Sequence, residues 1–284
     1  MAASESIPER VWALLRAHGQ DFSLEIMAEQ RSAFAALLGP IEAPRTVRDL
    51  DYGTHERQQL DVHLPAGDAG EPRPIVLYVH GGGFVAGDRR QAGQPYFDNV
   101  GAWCAANGWV GATMSYRRAP EYRWPAGAED IRSALQTLRA RAAEFAGDPD
   151  RIVLFGHSAG AAHVAGYLAG HAGGVEPGLA AVILQSGIYD PHTADDEIAD
   201  MVAMYYGDAD ASAVAALRDL AVPLYLSVGE YDPSTFHRQA ARVREPEVAP
   251  GHGHFSTIYA FGLDAAHPAR VARFVRNAVA GAAS

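Results

Sequence analysis

Arg151-Ile152-Val153-Leu154-Phe155-Gly156-His157-Ser158-Ala159-Gly160 is the stretch from which the architecture can be read. Its short apolar run holds the β-branched pair Ile152 and Val153 and reads as a buried strand. The run ends in Gly-His-Ser-Ala-Gly, and the Ala-rich segment Ala161 to His171 reads as the following helix. Strand, turn and helix in that order are the context in which G-x-S-x-G lifts a serine hydroxyl clear of a sheet. Chain must pass close on both sides of so sharp a turn, and Gly156 and Gly160 supply positions without a Cβ there. With the serine opening a helix, the N–H of Ala159 is left free to face an anion. A Gly/Ser-rich turn before any α/β helix has the same local composition, so the neighbouring stretches must separate the two readings.

Upstream, Ile75-Val76-Leu77-Tyr78-Val79 is a continuous apolar run, the mark of a strand covered on both faces. Val110 to Tyr116, Leu179 to Gln185 and Val222 to Val228 read as further buried strands. Helices are expected at about Ala92 to Asn107, Pro125 to Phe145, Ser234 to Val243 and Asp264 to Ala280. Before them, Leu60, Val62 and Leu64 alternate cleanly, and Val47, Leu50 and Tyr52 do so only from Leu50, which suits two antiparallel strands. Strands alternating with helices over this length predict an α/β fold with a mostly parallel, doubly wound sheet. Two amphipathic helices, Pro8 to His18 and Phe22 to Leu38, precede the first strand, separated by Gly19 and stopped by Gly39-Pro40. They either cover something or pack outside as an appendage. The segment from Ile188 to Leu220 is too long for an ordinary connection and reads as a lid or binding loop, with Ile198, Met201, Val202 and Tyr205 on one helical face.

The 284 residues, 48% of them hydrophobic, make one large domain or one domain with a small cap. A formal net charge of −11 argues against nucleic acid or an anionic membrane as partner. Every basic residue other than histidine is arginine, and no mechanism follows from that. Cys104 is the single cysteine, which fits a reducing compartment and reads as a packed, inert thiol. Residues 1–10 show neither a basic n-region nor an apolar h-region, and no apolar run approaches membrane-spanning length. A soluble, cytoplasmic protein is the expectation.

His80-Gly81-Gly82-Gly83-Phe84 follows the Ile75–Val79 run directly. Three glycines let backbone N–H groups face a ligand, as acyl transfer requires when charge develops on a carbonyl oxygen. Gly82, Gly83 and Ala159 are the expected oxyanion donors. Phosphate is the competing ligand, but neither a P-loop Lys-Ser/Thr nor a G-x-G-x-x-G opening a helix is present. A serine hydroxyl needs a positioned base. In chain order Ser…Asp…His, Val228-Gly229-Glu230-Tyr231-Asp232-Pro233 offers Asp232, with Glu230 as rival. Gly251-His252-Gly253-His254-Phe255-Ser256 offers His254, with His252 as rival. His254 is preferred because Phe255 can anchor the loop while Gly253 lets it turn. His80 is read as bracing its own loop. A zinc site is not expected, since there is no His-Glu-x-x-His and no cysteine pair.

Taken together, these motifs resemble those of the α/β-hydrolase superfamily, most closely the hormone-sensitive-lipase-like and related bacterial carboxylesterases. The stretches that carry the resemblance are His80 to Phe84, Tyr116-Arg117-Arg118-Ala119-Pro120-Glu121 with Trp124-Pro125-Ala126, Asp148-Pro149-Asp150-Arg151, Gly156 to Gly160, Asp232-Pro233 and His254-Phe255. The resemblance implies an eight-stranded, mostly parallel sheet flanked by helices. It implies Ser158 as nucleophile with Asp232 and His254 as its partners, and neither metal nor cofactor. It also implies a cap formed by residues 1–40 and by an insertion at about 188–220, over a catalytic domain of residues 41–284. His157 and Ala161 stand where the commoner motif has Asp and Gly. Gly-His-Ser-Ala-Gly-Ala and Gly-His-Phe-Ser look more like kynurenine formamidases and feruloyl-esterase-like relatives.

The expected activity is hydrolysis of short-chain or aryl carboxylic esters through an acyl-enzyme, with formamide hydrolysis by the same triad as the alternative. A non-catalytic binding protein and an acyltransferase are the remaining readings. Phe84, Val85, Tyr189, Met201, Tyr205 and Phe255 are expected to line an apolar substrate pocket. The expected partner is a small-molecule ester, with homodimerisation left open.

Overall fold

The strands are β1 (Arg45–Asp51), β2 (Gln59–Leu64), β3 (Arg73–Val79), β4 (Val110–Met114), β5 (Gly147–His157), β6 (Leu179–Gln185), β7 (Leu224–Gly229) and β8 (Glu247–Ala249), of which β3 and β5 carry the β-branched and aromatic runs Ile75–Val79 and Ile152–Phe155. They form one sheet in the order β1-β2-β4-β3-β5-β6-β7-β8 in the computed structural model, which describes residues 7–39, 41–67, 70–194 and 196–281. β2 runs antiparallel to β1 and β4, and from β4 to β8 every neighbouring pair is parallel. The helices are α1 (Glu9–His18), α2 (Leu24–Leu38), α3 (Asp98–Ala106), α4 (Ala126–Ala140), α5 (Ala159–Leu168), α6 (Asp196–Tyr206), α7 (Val214–Arg218), α8 (Ser234–Val243), α9 (Ser256–Tyr259) and α10 (Ala266–Gly281).

β3 shows why the sheet sits at the centre. Ile75, Leu77 and Val79 enter one apolar cluster with residues of α4, α5 and α8, while Val76 and Tyr78 enter a second with residues of α1, α2, α3 and α10. Both faces are therefore covered, and the run is apolar without alternation. Burying each such side chain is worth about 1.5–3 kcal/mol. Cys104 is buried in the second cluster, and burial pushes its thiol well above the usual range.

Several boundaries differ from the sequence expectation. The alternation missing in β1 is a register shift between Val47 and Leu50, where Asp49 takes a positive φ of 56°. α3 begins at Asp98 rather than near Ala92, because Gly93 adopts a φ of 71° and Pro95 follows it. The helix expected through Phe145 ends at Ala140 and continues as a 3₁₀ turn from Ala142 to Phe145. β8 is only three residues long between Pro246 and Pro250, too short to leave a periodic signal. Pro40 and residues 1–6 of the N-terminal segment lie outside the described residues.

Parallel strands share a direction, so the loops after β3, β5, β7 and β8 all leave from one edge of the sheet. The chemistry-bearing motifs of the sequence are those four loops.

Candidate active site

β5 delivers Ser158 at φ 53° and ψ −124°, backbone that side chains other than glycine rarely adopt. The turn is tight enough that its glycines have no alternative. A Cβ on Gly156 would stand 2.6 Å from the Cα of Ala161, and one on Gly160 would stand 2.1 Å from the Val79 carbonyl oxygen. The strain, worth about 1–3 kcal/mol, is held by β6, whose Gln185 carbonyl accepts the Ser158 N–H at 2.9 Å, and by the first turn of α5.

The Ser158 hydroxyl oxygen lies 2.9 Å from His254 Nε2, and His254 Nδ1 lies 2.8 Å from Asp232 Oδ1. Asp232 is fully buried; its other oxygen accepts from the Ser186 hydroxyl at 2.6 Å and from the Gly229 N–H at 2.7 Å. Burial alone would push this carboxyl up. The His254 ring and the two donors outweigh it and hold the carboxyl below its ordinary range. The imidazole is packed between aromatic rings, with Phe236 at 4.3 Å and Phe22 edge-on at 4.7 Å between centroids. Its backbone carbonyl accepts from the Thr257 hydroxyl at 2.8 Å and from His157 Nε2 at 3.0 Å. Because a carbonyl only accepts, Nε2 of His157 carries the proton. Burial pushes that ring down to about 3, which keeps it neutral.

The rivals are placed elsewhere. His252 turns its Nδ1 to the Ser256 hydroxyl at 3.2 Å and its ring to Trp12. Glu230 accepts the Gly251 N–H at 2.7 Å and holds the β8 loop rather than a histidine.

The glycine loop after β3 takes φ values of 140° at Gly82 and 57° at Gly83. A Cβ on Gly82 would meet the Ala86 carbonyl oxygen at 2.2 Å, so the loop closes on itself only with glycine there. The N–H groups of Gly82, Gly83 and Ala159 donate to no other described residue. His80 braces the loop, with Nδ1 2.6 Å from the Gly81 carbonyl and its ring stacked 4.3 Å from Tyr116. Arg57 ties the loop's far end down, donating to the carbonyls of Gly87 and Tyr116, each at 2.8 Å, and pairing with Asp88 at 3.1 Å.

A cavity of about 630 Å³ opens over Ser158 and the glycine loop. Of the expected pocket residues, Phe84, Val85, Met201 and Phe255 line it. Tyr189 and Tyr205 do not, which corrects the sequence expectation. Both are core side chains whose hydroxyls accept backbone N–H groups, Tyr189 from Gly187 at 3.2 Å and Tyr205 from Gly127 at 3.0 Å. Their positions on the apolar side of a loop and a helix looked alike in sequence whether that side faced substrate or core. Phe22, Leu24 and Met27 reach the cavity from the N-terminal segment, and Ile198, Met201 and Val202 from α6. Ser186, His157, Phe22 and Phe236 were not singled out as site residues. Two of them have a local signal: His157 departs from the commoner motif, and Ser186 opens a Ser-Gly pair at the end of β6, the strand beside the one that leads to Asp232.

A sequence profile of the BD-FAE family matches residues 60–219. Esterase LipC of Mycobacterium tuberculosis is 33% identical over 142 residues, which is 49% of this chain and 34% of that protein. Carboxylesterase NlhH from the same organism is 40% identical over 88 residues, 31% of this chain and 26% of that one. The match with these curated relatives thus spans about a third of their length or less. Among solved structures, esterase B from Lactobacillus rhamnosis superposes with a TM-score of 0.72 at 19% identity over 96% of this chain and 95% of its own. An esterase of the bacterial hormone-sensitive lipase family gives 0.66 at 24% identity over 99% of both chains. The fold is that of the α/β-hydrolases.

Proposed function

The chain belongs to the BD-FAE family, and from the geometry beside its glycine loop we propose that it hydrolyses carboxylic esters through an acyl-enzyme. The observation that carries this reading is the continuous path Asp232–His254–Ser158, at 2.8 and 2.9 Å, ending next to three unspent backbone N–H donors. His254 Nε2 takes the Ser158 proton as the hydroxyl oxygen bonds to the ester carbonyl carbon. The carbonyl oxygen becomes an oxyanion held by the N–H groups of Gly82, Gly83 and Ala159. Asp232 keeps Nδ1 protonated and stabilises the imidazolium. The imidazolium then protonates the departing alkoxide as the ester C–O bond breaks. Water, deprotonated by the same imidazole, repeats the addition and frees the acid. One donor lost from such a cradle costs about 10²–10³ in kcat.

The cavity volume of about 630 Å³ lies within the ordinary range for small-molecule sites, about 300–1,000 Å³, and suits short-chain or aryl esters. In this reading the N-terminal segment and α6 cap the site, since both send side chains into it. The relatives reported above are named for ester hydrolysis and none for formamide hydrolysis, so the formamide alternative is not favoured. An acidic balance and a single buried cysteine support a cytoplasmic protein acting on a small molecule rather than on nucleic acid. No helix of the described residues is long and apolar enough to cross a membrane.

The test is turnover of 4-nitrophenyl acetate and butyrate by the wild type and by Ser158→Ala, with an alkyl phosphonate as covalent label. Wild type turns over and gains one phosphonyl mass, whereas Ser158→Ala loses at least about 10³-fold in kcat and stays unlabelled. Equal turnover by the two proteins would sink the assignment.

A further inference from the structure

Arg31 is the one permanently charged side chain among the described residues lining the cavity, and no Asp or Glu lines it. Its Nε donates to the Tyr259 hydroxyl at 3.4 Å and its Nη2 lies 3.6 Å from Met27 Sδ, a long contact and a weak acceptor. Among the described residues Nη1 donates to no acceptor, and no carboxylate pairs with the group. Other arginines of this chain do pair with acids, Arg48 with Asp98, Arg90 with Asp61 and Arg117 with Asp130. A partly buried guanidinium with most of its five donors idle, in a cavity lined mainly by apolar side chains, lacks the anion its geometry fits.

The surroundings hold it in place and add a donor. The Tyr96 hydroxyl donates to the Arg31 carbonyl at 2.9 Å, and the Tyr96 ring lies 4.4 Å from that of Tyr259. The Tyr96 carbonyl accepts the Gln91 N–H at 2.6 Å, and Gln91 is among the residues lining the cavity. Guanidinium and phenol therefore stand together in one part of the cavity. That part adjoins the reacting groups, since Tyr259 closes α9, the helix that starts two residues after His254.

We propose that Arg31, with Tyr259, binds a carboxylate carried by the substrate at a distance from the scissile bond, so that the preferred substrates are anionic esters. The inference rests on the ester-hydrolase reading and narrows it. A planar carboxylate accepts two parallel N–H bonds from the guanidinium fork. The long-range field of a chain with net charge −11 disfavours an anion, so a preference for one must be made locally, inside the cavity.

The experiment compares charged and neutral esters of matched shape on wild type, Arg31→Met and Arg31→Lys. The acyl-side pair is mono-4-nitrophenyl adipate against 4-nitrophenyl hexanoate. The alcohol-side pair is 4-acetoxybenzoate against 4-acetoxybenzamide. In Arg31→Met, kcat/KM for the charged member of one pair falls about 10- to 100-fold, mainly through KM, while both neutral esters change by less than about threefold. Arg31→Lys recovers part of the loss, since it keeps the charge without the fork. The pair that responds shows which side of the ester carries the carboxylate. Equal losses on charged and neutral esters, or none, with turnover still dependent on Ser158, overturn this inference and leave the hydrolase reading standing. No turnover of either kind by wild type overturns the hydrolase reading and this inference with it.

Discussion

Asp232 is a carboxylate kept ionised in a place that by burial alone would protonate it. Three partners hold it there: the imidazole of His254, the Gly229 N–H and the Ser186 hydroxyl. Ser186 does not line the cavity and bonds Asp232 rather than Ser158, so on the proposed mechanism it is a positioning residue that acts through Asp232. Removing its donor leaves one carboxylate oxygen with a single bond and lets the carboxyl swing from Nδ1. Ser186→Ala is expected to lower kcat by about 10-fold or more, the worth of one hydrogen bond to a buried charge. KM should barely move, because the cavity walls are untouched. Steady-state kinetics on a neutral 4-nitrophenyl ester checks it; a change confined to KM would show that Ser186 acts on binding instead.

At the scale of an element, the turn between β5 and α5 reverses the usual effect of a substitution. Gly→Ala in an ordinary helix gains about 0.5–1 kcal/mol. Gly160 lies in the first turn of α5, yet its new Cβ would sit 2.1 Å from the Val79 carbonyl oxygen, backbone of the central strand that cannot give way alone. Gly160→Ala is expected to destabilise by about 2 kcal/mol or more. Gly166, later in the same helix, is the control. There the nearest atom is His171 Nδ1 at 3.1 Å, the end of a side chain held by the Trp124 indole N–H rather than backbone of the central strand, so Gly166→Ala should cost less than Gly160→Ala. Urea midpoints measure both, and equal midpoints would mean the turn is looser than its contacts.

Across the whole molecule, the histidines are the acid-sensitive component. Burial, the largest cause in each case, pushes His63, His80 and His252 down to about 4 and His157 and His163 to about 3, and His267 well below its ordinary 6.5. The unfolded chain protonates these rings as pH falls through 6.5, and the folded chain does not until about 4 or lower. Protons therefore favour the unfolded state across that window, by up to about 1.4 kcal/mol per pH unit for each ring. Asp232, held low, adds a loss only below its ordinary 3.8, and Asp130, raised by burial, opposes with one proton. The thermal midpoint should fall steeply between pH 6.5 and about 4. A midpoint flat down to pH 5 would mean the rings are not shielded as their burial implies.

The residues that bond together or stand exposed at this site were legible in the sequence because each lies in a short motif at a strand end. Gly-His-Ser-Ala-Gly, the triple glycine, Asp232-Pro233 and Gly253-His254-Phe255 all carry local chemistry, and a parallel sheet brings such ends to one edge whatever the loops between them do. The continuous apolar runs of the central strands told of cover on both faces for the same reason, since a run and its burial are properties of a few consecutive residues. What lay beyond that reading was every partner chosen across long separations. Tertiary packing alone decided that Ser186 meets Asp232, that His157 holds the His254 backbone, that Phe22 covers the imidazole, and that Arg31 faces the cavity while Tyr189 and Tyr205 face the core. An amphipathic helix announces which side is apolar; only the assembled chain determines whether that side meets substrate or protein.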